Sequence, residues 1–372
     1  MKEPVKKLLA AAGRLSALVR RPVPARSFVI SFAATFGGLF ALWTLLVFWV
    51  DPYIYYHRGW GLKNVYSNSR ARIPGIMRNF DYDAVLFGSS MCQNFRCSEI
   101  DAALRTRSIK ATSAGLTSGT LSRYFETARR CRGRKLTRCV MGIDIFGFGK
   151  PDDDLRYLYL YEDRWFPCEY FYSADTAEAV ADVFVTNISA PFNRISRHQL
   201  DRDLMFANKP RAKYGRQILE KEVRRLKTGP VMPDGETVQR FEKHLFSHVR
   251  KHPEIRFDLF LPPYSIYFWC LLREQGKLET YLKMRDLFAR MAAAYPNVRV
   301  HDFQAEFDIV CRLDLYQDVT HYSPAVNTRM IKEIGEGRVV FPAAEFRRRT
   351  AAIERRSAEF QTAFDKLRSK AR

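Results

Sequence analysis

The string "SFVISFAATFGGLFALWTLLVFWV", residues 27–50, carries no charged side chain, whereas elsewhere apolar residues fall in short runs or at helical spacing. A helix of that length, rising about 1.5 Å per residue, extends about 36 Å and exceeds a bilayer core of about 30 Å. One transmembrane helix is predicted. A cleaved signal peptide would have a shorter apolar core followed by small residues, but this run ends in Phe48-Trp49-Val50 before Asp51-Pro52. The anchor is expected to be retained.

Beyond it, five short β-rich runs are predicted as strands: "DAVLFG" (83–88), "IKATSA" (109–114), "RCVMGIDIF" (138–146), "RFDLFL" (256–261) and "VRVHDF" (298–303). Their continuous apolar character suits strands covered on both faces. Between them "SEIDAALRT", "GTLSRYFETARRC", "GETVQRFEKHLFSHVRKH" and "KLETYLKMRDLFARMAAA" have helical spacing, with Ser98 as the expected cap of the first. This alternation predicts an α/β fold, a three-layer α/β/α sandwich with a mostly parallel sheet. Its active site would lie outside the carboxyl ends of the strands.

Residues 147–232, rich in Tyr, Phe and Asp and then in Arg and Lys, read as an insertion between the third and fourth strands, serving as a lid or a substrate-binding surface. Residues 345–372 read as a basic helix with Ile353, Phe360, Phe364 and Leu367 on one face. That face is expected to pack on the domain, with membrane-surface attachment as the alternative. The predicted organisation is a basic segment 1–26, a transmembrane helix 27–50, a single domain 51–344 and the helix 345–372, without internal repeats.

At 372 residues, 47% hydrophobic, the chain can bury a sizeable core. Its net charge of +21 includes +6 from residues 1–26, where Lys2, Lys6, Lys7, Arg14, Arg20, Arg21 and Arg26 oppose only Glu3. The positive-inside rule then puts the N-terminus in the cytoplasm and the main domain outside, as expected for a single-pass protein of a bacterial inner membrane with a periplasmic or otherwise extracytoplasmic domain. A basic exterior suits anionic lipid headgroups or acidic envelope polymers, or is a solvated surface without a dedicated partner. Nucleic acid is not an expected partner, because the bases are scattered and the topology is wrong. The seven cysteines include no C-x-x-C pair, and buried free thiols are expected, although Cys92 with Cys97 and Cys131 with Cys139 are the nearest pairs in sequence.

Gly88-Ser89-Ser90 follows the first strand directly, so a hydroxyl stands at its carboxyl end. Alone, such a turn more often caps a helix than displays a nucleophile, and the G-x-S-x-G elbow is absent. After the last strand comes "DLYQDVTHYSPAVN", with Asp318 and His321 separated by two residues in a loop before a helix. A serine hydroxyl needs an imidazole to take its proton, and the imidazole needs a carboxylate to fix its tautomer. This loop offers both.

"DAVLFGSS", "SAGLTSG", "VMGID" and "DVTH" occur in the order of the four blocks of the SGNH (GDSL-like) hydrolase superfamily, which the chain resembles over most of residues 51–340. The resemblance implies a flavodoxin-like fold with Ser90, not Ser89, as nucleophile, His321 as base and Asp318 as its orienting acid. It also implies an oxyanion hole from the N–H groups of Ser90 and Gly115. Gly-Ser-Ser in place of Gly-Asp-Ser, with an N-terminal anchor, looks most like the DltD-like and alginate-acetylation-like branch acting on envelope polymers. The strings "GSSMCQNF", "FLPPYSIYFW" and "DVTHYSPAVN" also resemble anchored bacterial envelope proteins with no assigned substrate.

The third block departs from the family pattern. Where active esterases have an Asn that donates to the oxyanion, the register Gly142-Ile143-Asp144-Ile145 puts Asp144. An ionised carboxylate only accepts. Asn94 is a candidate substitute donor or a helix-surface amide, and Tyr264 in "FLPPYS" is a pocket-lining candidate or a plain turn residue. Asp152-Asp153-Asp154 lacks the spacing of a cation loop, His301 and Asp302 read as core or rim polar groups, and neither a metal nor a cofactor is expected. The sequence thus points to a membrane-anchored serine esterase or acyltransferase acting on an acylated envelope polysaccharide or polymer. The alternative is a weakly active or inactive accessory that binds such a glycan or docks a multi-pass acyltransferase.

Overall fold

A computed structural model describes residues 24–58, 62, 69–150, 157–162, 165–187, 213–226 and 235–369. It divides into two units, Met1–Val50 and Asp51–Arg372. In the first, helix α1 (Ala25–Val50) has 26 residues, about 39 Å at roughly 1.5 Å per residue, and is long and apolar enough to cross a membrane. Phe28, Phe32, Phe36 and Phe40 run down one side of it in stacked contact.

The second unit is built on five parallel strands: β1 (Ala84–Gly88), β2 (Ser108–Thr112), β3 (Arg138–Gly142), β4 (Arg256–Leu261) and β5 (Val298–Asp302). Their spatial order is β2-β1-β3-β4-β5, so the chain reverses direction across the sheet between β1 and β3. Successive side chains of a strand point to opposite faces, and every residue of β1 and β2 is buried, so both faces are covered. The helices of this unit include α2 (Ser69–Asn79), α3 (Cys97–Leu104), α4 (Ser118–Arg132), α5 (Arg216–Arg225), α6 (Ile266–Glu274), α7 (Leu278–Ala292), α8 (Pro324–Glu336) and α9 (Ala343–Ser369), of which α2, α3, α4 and α7 lie against the strands.

Three sequence expectations need correction. The run 138–146 is not all strand: β3 ends at Gly142, and Asp144 precedes a short helix, Ile145–Phe148. Ser98 does not cap α3, which starts one residue earlier behind Arg96, without a side-chain cap. Thr237–Lys251 is not a plain α-helix but carries a π-helical turn at Glu242–Phe246. Within 147–232, the helices Leu158–Tyr161, Cys168–Tyr172, Ala174–Asn187 and α5 are described; the triplet Asp152-Asp153-Asp154 lies outside the described residues. All seven cysteines are free thiols.

Helix α9 buries Phe346, Ile353, Phe364 and Leu367, with Phe360 partly buried, and packs on α5, α6 and α7. A buried polar knot fastens it. Arg285 of α7 donates to Gln304, to Thr350 of α9 and to Asp302 at the end of β5, while Arg349 Nε donates to the same Asp302 carboxylate at 2.7 Å. Burial alone would push Asp302 up, but the two guanidiniums outweigh it and hold its carboxyl below the ordinary 3.8. Asp302→Ala leaves Arg285 a buried cation without its carboxylate, so we expect a loss of about 3–5 kcal/mol in denaturant unfolding at neutral pH. A depressed folded pKa stabilises above 3.8 and ceases to as pH falls through the folded value, so the gap to wild type should narrow in acid. His301, on the same strand, meets Asp258 through Nε2 at 3.1 Å, inside the core.

Candidate active site

The carboxyl ends of β1 and β3 meet at the reversal of strand order, where open α/β sheets leave a crevice. Chain leaving β1 turns through a single 3₁₀ turn, Ser90–Cys92, capped by Ser89. The turn folds back onto the sheet because Gly88 and Gly142 have no side chains: a Cβ on either would come within 2.2 and 2.4 Å of Cys92 Sγ. Burial raises the Cys92 thiol well above its ordinary pKa, which keeps it an inert filler beside the serines. Gly142→Ala would also press on Phe260 at 3.0 Å. We expect it to cost about 1–3 kcal/mol in thermal unfolding, with Cys92→Ala restoring part of the loss in the double variant.

The two serines have different fates. Ser89 is 6% exposed; its hydroxyl donates to Asp144 Oδ2 and accepts the Met91 N–H at 3.2 Å. Ser90 is only partly buried, and its Oγ lies 2.8 Å from His321 Nε2. On the other side of that ring, Nδ1 lies 2.7 Å from Asp318 Oδ2. Ser90, His321 and Asp318 therefore form one continuous hydrogen-bonded file, the geometry a serine nucleophile, its base and an orienting acid require.

The three-residue spacing of Asp318 and His321 has a local cause. Asp318 Oδ1 accepts the backbone N–H of Thr320 at 2.9 Å and of His321 at 2.8 Å, so one carboxylate folds the loop and holds the ring. Burial would raise the Asp318 pKa, but His321 and these N–H donors lower it below 3.8 and keep the carboxylate ionised. The loop is pinned to the end of β4 by Ser265, whose N–H donates to Val319 O at 3.0 Å. It is pinned to the serine turn by Tyr322 and Asn327, which both donate to Met91 O, at 3.1 and 3.2 Å.

Asp144 sits beside this file but takes no part in it. Its carboxylate accepts from Ser89 and from the fully buried Tyr264 hydroxyl, and burial raises its pKa despite those two donors. Tyr264 therefore supports Asp144 from within the core rather than facing an open pocket. Asn94 is likewise buried, and its amide donates to Tyr214 OH at 3.3 Å. It is not a helix-surface amide. Gly115 lies in the exposed turn after β2, with φ +66, where a side chain would be strained. Next to it, Arg70 Nη2 donates to Ala114 O at 2.7 Å.

A small concavity lies beside Ser89, lined by Ser89, Leu116, Thr117, Ser118, Gly142 and Asp144 among others; Ser90 is not one of its lining residues. Ser118 on its wall meets His244 Nδ1 at 2.9 Å. Among the described residues no group of His, Cys, Asp and Glu is arranged to hold a metal ion. Tyr214, Arg70, Tyr322 and Asn327 go beyond the residues that the sequence points to. "DVTHYSPAVN" contains the last two; the first two meet their partners across 120 and 44 residues and carry no local signal.

No protein-family model and no curated protein matches this chain. A solved structure described as "a putative platelet activating factor from Streptococcus pneumonia" overlaps 72% of this chain and 89% of its own, at 11% identity and a TM-score of 0.35. Similarity at that level decides neither fold family nor activity.

Proposed function

We propose that this chain is a membrane-anchored serine acyl-esterase or O-acyltransferase of SGNH type, acting on an acylated cell-envelope polysaccharide or other acylated envelope polymer. The observation that carries the reading is the Ser90–His321–Asp318 file at the carboxyl edge of a parallel sheet. The strand order 2-1-3-4-5 is that of flavodoxin-like folds and supports it. In this mechanism His321 Nε2 takes the Ser90 proton as Oγ attacks the ester carbonyl. The tetrahedral intermediate collapses to an acyl-Ser90 ester, and His321 returns the proton to the departing alcohol. Water or an acceptor hydroxyl then repeats the sequence in reverse and carries the acyl group away. The N–H groups of Ser90 and Gly115 are the assigned oxyanion donors. The proposed setting is a bacterial inner membrane with the catalytic domain on the outer side.

Asp144 favours a second reading. With its carboxylate turned to two hydroxyls, it supplies no donor where the resembled family has one. On this reading the protein is a weak or inactive accessory that binds an envelope glycan, meets anionic lipid headgroups or docks a multi-pass acyltransferase. A fluorophosphonate probe on the full chain separates the two: labelling of Ser90, located by peptide mass and lost in His321→Ala, supports the enzyme. Absence of labelling in a folded chain supports the accessory.

A further inference from the structure

Trp165 is 84% exposed, the largest exposure among the large apolar residues of the described chain, and Phe166 beside it is 39% exposed. These rings are displayed on a firm base. Phe166 stacks on buried Phe171 at 4.3 Å, and Phe171 and Tyr170 pack against Tyr55 and Tyr56. Exposed Tyr172 continues the patch, and the following helix, Ala174–Asn187, carries exposed Phe184 and Val185 one residue apart on its outer side.

What lies beneath the patch locates it along the chain. Tyr56 OH donates to the Trp165 carbonyl at 2.9 Å, and Tyr53 OH to the Asp175 carbonyl at 3.1 Å. Asp51 accepts the N–H groups of Tyr55, Tyr56 and His57 at 2.8 to 2.9 Å and the hydroxyl of Tyr170. Asp51 directly follows the last residue of α1. Residues that lie six or fewer positions past the apolar helix therefore hold the aromatic patch, within a reach of about 20 Å at roughly 3.3 to 3.6 Å per residue.

We infer that Trp165, Phe166 and Tyr172 insert into the headgroup–acyl boundary of the same bilayer that α1 crosses, giving the domain a second, non-covalent footing on the membrane. Trp and Tyr are enriched at that boundary because each ring has an apolar body and a polar edge. The tether makes the encounter intramolecular, so insertion too weak to hold a free domain suffices here. The segment itself supplies no attraction to anionic lipid: Trp165–Asn187 contains Glu169, Asp175, Glu178 and Asp182 and no Lys or Arg, its neighbouring bases being Arg164 just before it and Arg78, which packs on Tyr55. The contact should be the same on zwitterionic lipid.

Cys168, an exposed thiol three residues from Trp165, supplies the probe position. The full chain, labelled there with an NBD fluorophore and reconstituted at one chain per phosphatidylcholine nanodisc, would be exposed to shallow doxyl-labelled lipid and to aqueous iodide. The expected result is loss of emission with doxyl lipid and protection from iodide, both reversed in Trp165→Ser/Phe166→Ser. With the half-buried thiols removed in a Cys131→Ser/Cys311→Ser background, peptide mass showing label only at Cys168 in both proteins establishes that the buried Cys92, Cys97, Cys139 and Cys270 stay buried and the variant is folded. Ready iodide quenching with no doxyl effect overturns the inference. So does protection from both quenchers, which would mean that this chain covers its own patch, or protection that appears only at two chains per disc, which would mean a second copy. A doxyl effect that requires phosphatidylglycerol overturns it as well.

Discussion

Replacing Ser90 by alanine is expected to abolish fluorophosphonate labelling and to lower turnover of a short-chain nitrophenyl ester by about 10⁶-fold, the loss typical when a serine hydrolase loses its nucleophile. His321→Ala should cost about as much, because without the imidazole the hydroxyl keeps its proton. Asp318→Ala should cost less, about 10⁴-fold: the ring loses its Nδ1 partner, and the loop loses the carboxylate that gathers the Thr320 and His321 N–H groups. Ser89→Ala is the informative contrast. Ser89 Oγ is buried and committed to Asp144 and Met91, so its removal should leave Ser90 labelled. Ester turnover that survives Ser90→Ala, or a probe adduct on Ser89, would sink the mechanism.

Much of this geometry is readable because it is made of short, local signals. Buried parallel strands are continuous apolar runs, and β4 matches "RFDLFL" residue for residue. The third run misleads because apolar character continues through Ile143 and Ile145 after the chain has left the sheet, and periodicity cannot separate a buried strand end from a buried helical turn. Helix α2 is unreadable for the opposite reason. Pro74 and Gly75 read as a break, yet Gly75 is what lets the helix lie against the carbonyls of Tyr53 and Ile54, where a Cβ would stand 2.5 and 2.4 Å away. At the site, Ser90, Asp318 and His321 are legible as motif residues. The commitment of Asn94 to Tyr214, and of Tyr264 to Asp144, is not, because each pair is separated by 120 residues.

Asp144→Asn is expected to raise ester turnover, by about 10²- to 10³-fold if the amide supplies the missing oxyanion donor, since one such donor is worth about 2.7–4 kcal/mol. The hydrogen bonds around the side chain say how. The oxygen of the introduced amide can keep accepting from Tyr264, while its nitrogen replaces the oxygen that now accepts from Ser89. The amide has two N–H groups, and Ser89 Oγ can accept one of them. The other N–H, and the Ser89 hydroxyl proton released from the carboxylate, then become available on the wall of the concavity that Ser89 and Asp144 line, one residue along the chain from Ser90. The same substitution should raise the melting temperature in a pH-dependent way. Burial raises the folded pKa of Asp144 above the ordinary 3.8, so wild-type stability is full below 3.8 and falls as pH climbs toward the raised value. An amide does not ionise, so the advantage of the variant should be least in acid and grow toward neutrality. Higher turnover that disappears in Asp144→Asn/Ser90→Ala would identify the carboxylate as the brake on an otherwise assembled serine site. A variant stabilised at neutral pH but no faster would place the oxyanion away from Asp144 and strengthen the accessory reading.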